Sequence, residues 1–368
     1  MNSDSCVFHP ELGAIPEFPA VTFAESDWHD GILVRTPNWL GDAVMAVPAI
    51  LQLKTILPPY CGLFVLCPKG IAPVFEALPF IDRVITLADP HAFMTERERL
   101  SVKRLHAGIG VLFNNSFRDA LDLKCVRIPK LFGARARFRS FLLERSYEFP
   151  ERKDFMLNTP HQAAKYLAIA QSLGAGPWNG VMPEFQENIQ PETCPLELES
   201  FCRRPRILAI AGGAAYGAAK RWPAESFREV ARRWIAEGGC AVALGSGGER
   251  QIAEEILTGL PAEQCWNAAG RTSMDGLMYL LKHSAMCVAN DSGVMHLAAA
   301  LGVPGVAPFG CTDPAATSPL SSKWTIAFHK IACAPCFKRV CPKGTKECFD
   351  RITPDVVWKI MKSTLRTP

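Results

Sequence analysis

The chain has 368 residues, 48% of them hydrophobic and 21% charged, with a formal net charge of +4. That length predicts two domains and a core that needs neither disulfides nor metal, and so small a charge argues against a general nucleic-acid binder. The opening residues MNSDSCVFHPELGAIPEF lack the basic head and apolar run of a secretory signal, and the longest spanning candidate, 294–310, is interrupted by His296 and two prolines. A cytoplasmic protein is expected, with its fourteen cysteines mostly reduced.

Residues 1–29 show no periodicity and read as an N-terminal extension. A strand–helix alternation then begins. GILVR (31–35) reads as a buried strand, AVMAVPAILQLKTIL as a helix and GLFVLCP (62–68) as a strand, followed by VITL (84–87) and IGVLFN (109–114). Residues 118–185 are more helical and more basic, and 191–206 read as a linker. The alternation restarts with RILAIA, AESFREVARRWIAEG, CAVALGS and ERQIAEEILTGL. It continues through MDGLMYLLKHS, MCVAN, VMHLAAALG and VPGVAPFG to a last helix, Thr353 to Leu365. Such alternation predicts an α/β fold of two Rossmann-like, doubly wound parallel sheets facing a cleft. The expected domains are 30–190 and 206–352, with 353–368 a helix lying across both.

Six stretches carry candidate chemistry. TPNWLGDAVMAVPAI (36–50) joins a strand to a helix; Gly41 permits close backbone approach, and Asp42 reads either as a helix cap or as a general base. AGGAAYGAAKRWP (211–223) follows a strand: Gly212 and Gly213 let N–H groups face a phosphate, and Lys220 and Arg221 add charge. In LGSGGERQ (244–251), Glu249 is placed for a ribose or simply for the first turn of a helix. VANDSGVMHLAAALGVPGVAPFGCTDP (288–314) places Asp291 beside Ser292 and Gly293 at a helix N-terminus suited to anions, with Thr312 at a neighbouring strand mouth. His296, on the apolar helix, reads more readily as a core residue than as a catalyst.

The remaining two are a cysteine cluster and a basic run. Cys333, Cys336, Cys341 and Cys348 fall within sixteen residues, which suits either a structural zinc or iron site or free thiols. Lys124, Arg127, Lys130, Arg135, Arg137 and Arg139 follow one another with no acid between. They form either a solvated face or a patch for a polyanionic acceptor or anionic membrane, and the interleaved Leu131, Phe132, Phe138, Phe141 and Leu142 favour packing or insertion.

Taken together these stretches resemble glycosyltransferase family 9, the bacterial heptosyltransferases. NDSGVMHLAAALGVPGVAPFGCTDP is similar to the family's most recognisable block. GGAAYGAAKRWP and TPNWLGDAVMAVPAI resemble blocks of the type II lipopolysaccharide heptosyltransferases, and FNNSFRDA (113–120) and the terminal cysteine segment also fit. The nucleotide loop departs from the family in opening Ala-Gly-Gly where Pro-Gly-Ala is usual, and residues 1–29 match nothing in it. The resemblance implies a GT-B fold and inverting transfer of L-glycero-D-manno-heptose from ADP-heptose to a heptose of the lipid-linked lipopolysaccharide core. It implies that Asp42 is the general base, Lys220 binds diphosphate with amides near Ser292 and Gly293, Glu249 holds ribose and Asp291 contacts the heptose. Asn115, Ser116 and Arg118 would lie on the acceptor side. No cofactor is required for catalysis, and contact with the cytoplasmic face of the inner membrane would be peripheral. Alternatives are another acceptor, a UDP-sugar enzyme of the same fold such as an epimerase, or a non-catalytic nucleotide-sugar binder.

Overall fold

A computed structural model describes residues 7–150, 160–186, 189, 191 and 195–365. The chain divides into two compact units, residues 12–187 and residues 1–11 together with 188–368.

A two-residue strand β1 (Val7–Phe8) comes first and belongs to the second unit. The first unit alternates β2 (Gly31–Arg35), α1 (Leu40–Lys54), β3 (Gly62–Pro68), α2 (Ala72–Glu76), β4 (Arg83–Leu87), α3 (Glu96–Lys103) and β5 (Ile109–Leu112). It ends with α4 (Phe117–Cys125), β6 (Lys130–Ala134), β7 (Arg145–Tyr147) and α5 (Gln162–Ser172). The sheet order is β4-β3-β2-β5-β6-β7, parallel throughout. β2 and β5 are buried along their whole length, as unbroken apolar runs in a parallel sheet should be. The chain builds outward from β2 through β3 and β4, then returns to lay β5 on its other side, so the order reverses between β2 and β5. Ligand crevices open at that point, beyond the carboxyl ends of the strands.

The second unit follows the same logic. It contains α6 (Leu196–Cys202), β8 (Ile207–Ala211), α7 (Ala224–Ala236), β9 (Cys240–Ala243), α8 (Arg250–Leu257), β10 (Cys265–Asn267), α9 (Met274–Lys282) and β11 (Ser284–Ala289). After these come α10 (Gly293–Ala300), β12 (Gly305–Phe309), α11 (Pro314–Thr317), β13 (Trp324–Phe328) and α12 (Pro354–Thr364). The order is β1-β13-β12-β11-β8-β9-β10, with only β1 antiparallel among these strands. Here the reversal lies between β8 and β11, whose last residues Ala211 and Ala289 are paired.

Several features differ from the sequence reading, among them β6 and β7 inside the stretch 118–185 read as more helical. Residues 7–29 are built into the fold. Val7 and Phe8 pair with Ala327 and Ile326, and Phe18 packs edge-on against Tyr147 and Phe149 at 5.0 and 5.4 Å. Phe23 packs on Trp28 and Phe132, so buried aromatic area holds the segment where periodicity was absent. The stretch read as a linker contains α6, which buries Leu198 and Phe201 and packs on α9. The terminal helix α12 packs on α7, β12 and β13 of its own unit. Its entry is fixed by Trp222 Nε1, which donates to Ile352 O at 2.8 Å, and by the Thr353 cap. Met361 and Val357 are fully buried in a core that includes Trp222, Phe227 and Trp234. Met361→Ala should therefore lower stability by about 2–5 kcal/mol in urea unfolding; a loss under about 0.5 kcal/mol, the range of an inert surface change, would show that α12 does not close this core.

Candidate active site

In the first unit, the two loops at the reversal point are joined by buried charge. Arg35 ends β2 and is fully buried. Its Nε lies 2.7 Å from Asp119 Oδ2, Nη1 donates to Thr36 O at 2.6 Å, and Nη2 donates to Asn38 Oδ1 at 2.7 Å. One guanidinium thus grips both the loop leading into α1 and the first turn of α4. Asp119 also accepts hydrogen bonds from Asn114 Nδ2 and from Ser116 Oγ, the latter at 3.0 Å. Ser116 Oγ in turn accepts from the Asp119 N–H at 3.2 Å and so caps α4. Arg139, also fully buried, donates to Ser116 O at 3.3 Å and to Ala134 O at 3.1 and 3.0 Å. Burial lowers the pKa of both arginines, Arg139 to about 10, and the Asp119 carboxylate opposes the shift.

Asp42 sits in the first turn of α1, half-buried, where the helix dipole favours a carboxylate. The N-cap is Trp39, so capping does not account for Asp42. Its charge reaches Tyr166, a buried residue of α5, whose phenol is held well above its ordinary pKa by burial first and by Asp42 second. Tyr166 Oη accepts from Gln162 Nε2 at 2.8 Å, and its ring lies 4.9 Å from that of Phe113, just past β5.

The predicted acceptor-side residues separate by role. Asn115 is exposed on the loop. Ser116 is structural, as described. Arg118 is half-buried, donating to Pro90 O at 3.3 Å with its guanidinium 5.9 Å from the Phe93 ring centre. Arg135 and Arg137 are exposed, and Arg135 pairs with Glu148 at 2.9 Å. Arg139, expected within the surface patch, is instead a core strut, because the nearby carbonyl of Ala134 and the sequence-distant one of Ser116 seat its guanidinium.

In the second unit the Gly212–Gly213 turn follows β8 directly. A Cβ on Gly213 would fall 2.1 Å from Glu249 Oε1, and one on Gly212 would fall 2.3 Å from Ile256 Cδ1, so glycine at these positions lets the Glu249 carboxylate and the Ile256 side chain lie against the turn. Glu249 Oε2 accepts from Ser246 N–H and Oγ at 2.8 and 2.9 Å, the closing half of a capping box. That pair of bonds aims the carboxylate over the glycine turn. Asn290, fully buried, donates to Gly212 O at 2.7 Å and accepts from Trp222 N–H at 3.0 Å, tying both ends of the 211–223 loop to the end of β11.

Lys220 and Asp291, assigned separate partners from sequence, meet each other. Lys220 Nζ is 2.7 Å from Asp291 Oδ2, which also accepts from Thr312 Oγ1 at 2.7 Å. Lys220 Nζ also lies 5.0 Å from the ring centre of Tyr216, whose hydroxyl donates to Phe337 O at 2.6 Å. Ser292 is the N-cap residue of α10, in extended conformation, and its buried Oγ has no hydrogen-bond partner. The N-terminus of α10 therefore presents an unoccupied hydroxyl and backbone N–H groups beside a lysine, an arrangement that binds anions. His296 lies buried in α10, as a core residue would.

Among the described residues, no group of three or more His, Cys, Asp or Glu side chains is placed to hold a metal ion, and Cys333, Cys336, Cys341 and Cys348 are free thiols. Their depths differ: Cys333 is exposed, Cys336 and Cys341 are half-buried, and Cys348 is buried. Backbone N–H groups of residues 343–346 point at Cys341 and lower its pKa, whereas burial pushes Cys348 up to about 11. The segment flanks the 211–223 loop. Ala219 N–H donates to Arg339 O at 3.0 Å, and Phe337 N–H donates to Cys311 O at 2.8 Å.

Sequence reasoning missed Arg35, Asp119, Asn290 and Tyr216. An arginine closing the otherwise apolar strand GILVR was the available signal, since a buried charge demands a partner. Asp119→Ala would leave Arg35 buried without its carboxylate and should destabilise the first unit by about 3–5 kcal/mol in urea unfolding, whereas a loss under about 1 kcal/mol would show the pair to be dispensable.

Comparison with known proteins fits this geometry. Residues 99–346 match the model for glycosyltransferase family 9 (heptosyltransferase). The chain is 30% identical over 352 residues to lipopolysaccharide heptosyltransferase 2 of Salmonella typhimurium, covering 91% of this chain and 98% of that one. It is also 30% identical over 354 residues to the Escherichia coli protein of the same name, with the same coverage. The solved structure of E. coli ADP-heptose lps heptosyltransferase II superimposes with a TM-score of 0.73 at 27% identity, over 91% of this chain and 98% of that one. A family 9 glycosyltransferase from Veillonella parvula shares the fold, with a TM-score of 0.75 at 19% identity over 94% and 99% of the two chains. The two Rossmann-like domains are thus those of the GT-B class, and the chain belongs to glycosyltransferase family 9, the heptosyltransferases.

Proposed function

We propose that this glycosyltransferase moves L-glycero-D-manno-heptose from ADP-heptose to a heptose of the lipopolysaccharide inner core, with inversion at the anomeric carbon. The observation that carries the reading is the anion-receptive end of the second sheet, where Lys220, the Asp291–Thr312 pair and the α10 N-terminus with Ser292 meet at the β8–β11 reversal. The type 2 heptosyltransferases of S. typhimurium and E. coli, matched over nearly their whole length, support the donor and acceptor named.

The chemistry is a single displacement. Asp42 removes the proton of the acceptor hydroxyl as the anomeric carbon loses its bond to phosphate and gains oxocarbenium character. The departing ADP carries the charge that develops. Lys220 and the α10 N–H groups stabilise that charge, so the step needs no metal of its own. Lys220 is already held by Asp291, so on donor binding the ammonium bridges carboxylate and diphosphate, and Asp291 stays oriented toward the sugar by Thr312. Glu249 holds the ribose with the carboxylate edge that Ser246 does not occupy. Asn115 and Arg118 lie on the acceptor side. Among the described residues no helix is long and apolar enough to cross a membrane, and peripheral contact with the cytoplasmic face of the inner membrane would bring the enzyme to its lipid-linked acceptor.

The reading is tested by supplying ADP-heptose with inner-core acceptors that end in one heptose or in none. Transfer to the first alone, seen by mass spectrometry, is expected; transfer to the heptose-free acceptor would move the enzyme to an earlier step. Asp42→Asn should lower kcat by about 10²–10⁴-fold while leaving ADP binding intact, and near-normal turnover would remove Asp42 from the role of base.

A further inference from the structure

The segment between β6 and β7 carries two aromatic rings that stand largely exposed. Phe138 is 94% exposed and Phe141 76% exposed, the two most exposed phenylalanines among the described residues. Single exposed apolar residues are ordinary, but two large rings on one short turn are not. The turn is also well braced. Arg139 N–H donates to Ala136 O at 3.0 Å, Leu142 N–H donates to Arg139 O at 2.9 Å, and the buried Arg139 guanidinium closes onto Ala134 O. The rings are therefore held outward by a hydrogen-bonded scaffold.

Charge identifies what meets them. Residues 124–143 contain six cationic side chains and no acidic one. Of these, Arg135 and Arg137 are exposed on the turn that carries the two rings, Arg135 paired with Glu148 and Arg137 beside Phe138 in the chain. Aromatic rings interleaved with arginines suit the boundary between anionic headgroups and acyl chains, where each half of the pair finds its own solvent. A protein partner would ask for a larger continuous apolar face than two rings provide.

We propose that the 135–141 turn is a bilayer-docking knuckle that inserts Phe138 and Phe141 into an anionic membrane surface, with Arg137 at headgroup level. This rests on the reading of the acceptor as lipid-linked and names the element that reaches it. The knuckle is joined to the acceptor-side loop in two places. Arg139 Nη1 donates to Ser116 O at 3.3 Å, and the Phe141 ring lies 6.1 Å from that of Phe117. Docking the knuckle thus fixes the height of the Asn115–Arg118 loop above the bilayer.

The test is cosedimentation of the full chain with vesicles of phosphatidylethanolamine and phosphatidylglycerol, set against vesicles of phosphatidylcholine alone. The native protein should bind the anionic vesicles, less so in high salt, and only weakly the neutral ones. Phe138→Ser combined with Phe141→Ser should weaken that binding about tenfold or more. Phe138→Ser alone should transfer heptose to a delipidated, soluble acceptor at the native rate. Absence of vesicle binding by the native protein, or native-like binding by the double variant, would overturn the proposal. So would slow transfer to the soluble acceptor with vesicle binding intact, which would make the turn a saccharide-reading element. Because vesicle binding is read without turnover, failure of the heptosyltransferase reading and failure of the docking knuckle remain distinguishable.

Discussion

Each of the two sheets reverses its strand order once, and almost everything functional in the molecule follows from that constraint. Where the order reverses, the connections from two adjacent parallel strands leave toward opposite faces, and the carboxyl ends between them stay uncovered. The first sheet reverses between β2 and β5, and the loops that open there carry Asp42 and the Asn115–Arg118 segment. The second reverses between β8 and β11, and its open loops carry the Gly212–Gly213 turn and Asp291–Gly293. Glycine at the turn and a bare helix N-terminus beside it are what such a crevice needs to receive a phosphorylated ligand.

Crevices alone would be loose, and buried charge holds their walls. In the first unit the fully buried Arg35 pairs with the carboxylate of Asp119, which Asn114 and Ser116 also bond, while a second fully buried arginine, Arg139, bonds the carbonyls of Ser116 and Ala134. The desolvation cost of such a set exceeds what it returns in Coulomb energy unless every group is bonded, so it argues for positional accuracy more than for stability. In the second unit Lys220 and Asp291 form a smaller version, with Thr312 as the third member. Here the pair lies at the carboxyl end of the sheet, and in the proposed donor site the same ion pair that keeps the lysine in place would present it to an incoming anion.

Most of the sheet architecture was legible in the sequence because the central strands are parallel and buried on both faces. GILVR, IGVLFN, RILAIA and MCVAN read as strands for that reason, and the glycine- and acid-bearing loops after them marked the candidate site. What was hidden depended on partners distant in the chain. A two-residue β1 exists only because β13 offers it an edge, and the burial of Arg139 depends on carbonyls at Ala134 and Ser116. The Lys220–Asp291 pair spans seventy-one positions. Spacing among Cys333, Cys336, Cys341 and Cys348 recorded their closeness along the chain but not the differing depths of their sulfurs. The basic run likewise gave its charge to sequence reading but not its division into a buried strut at Arg139 and an exposed tip at Arg137 and Phe138.

The central claim is that the β8–β11 crevice takes an adenosine diphosphate sugar. Thermal unfolding at matched concentrations of ADP, UDP and GDP tests it most directly, since a ligand that binds only the folded state raises the midpoint according to its affinity. The account predicts a rise with ADP well above that with UDP or GDP, and its loss in Lys220→Met. A rise with UDP alone, or an ADP effect undiminished in Lys220→Met, would contradict it.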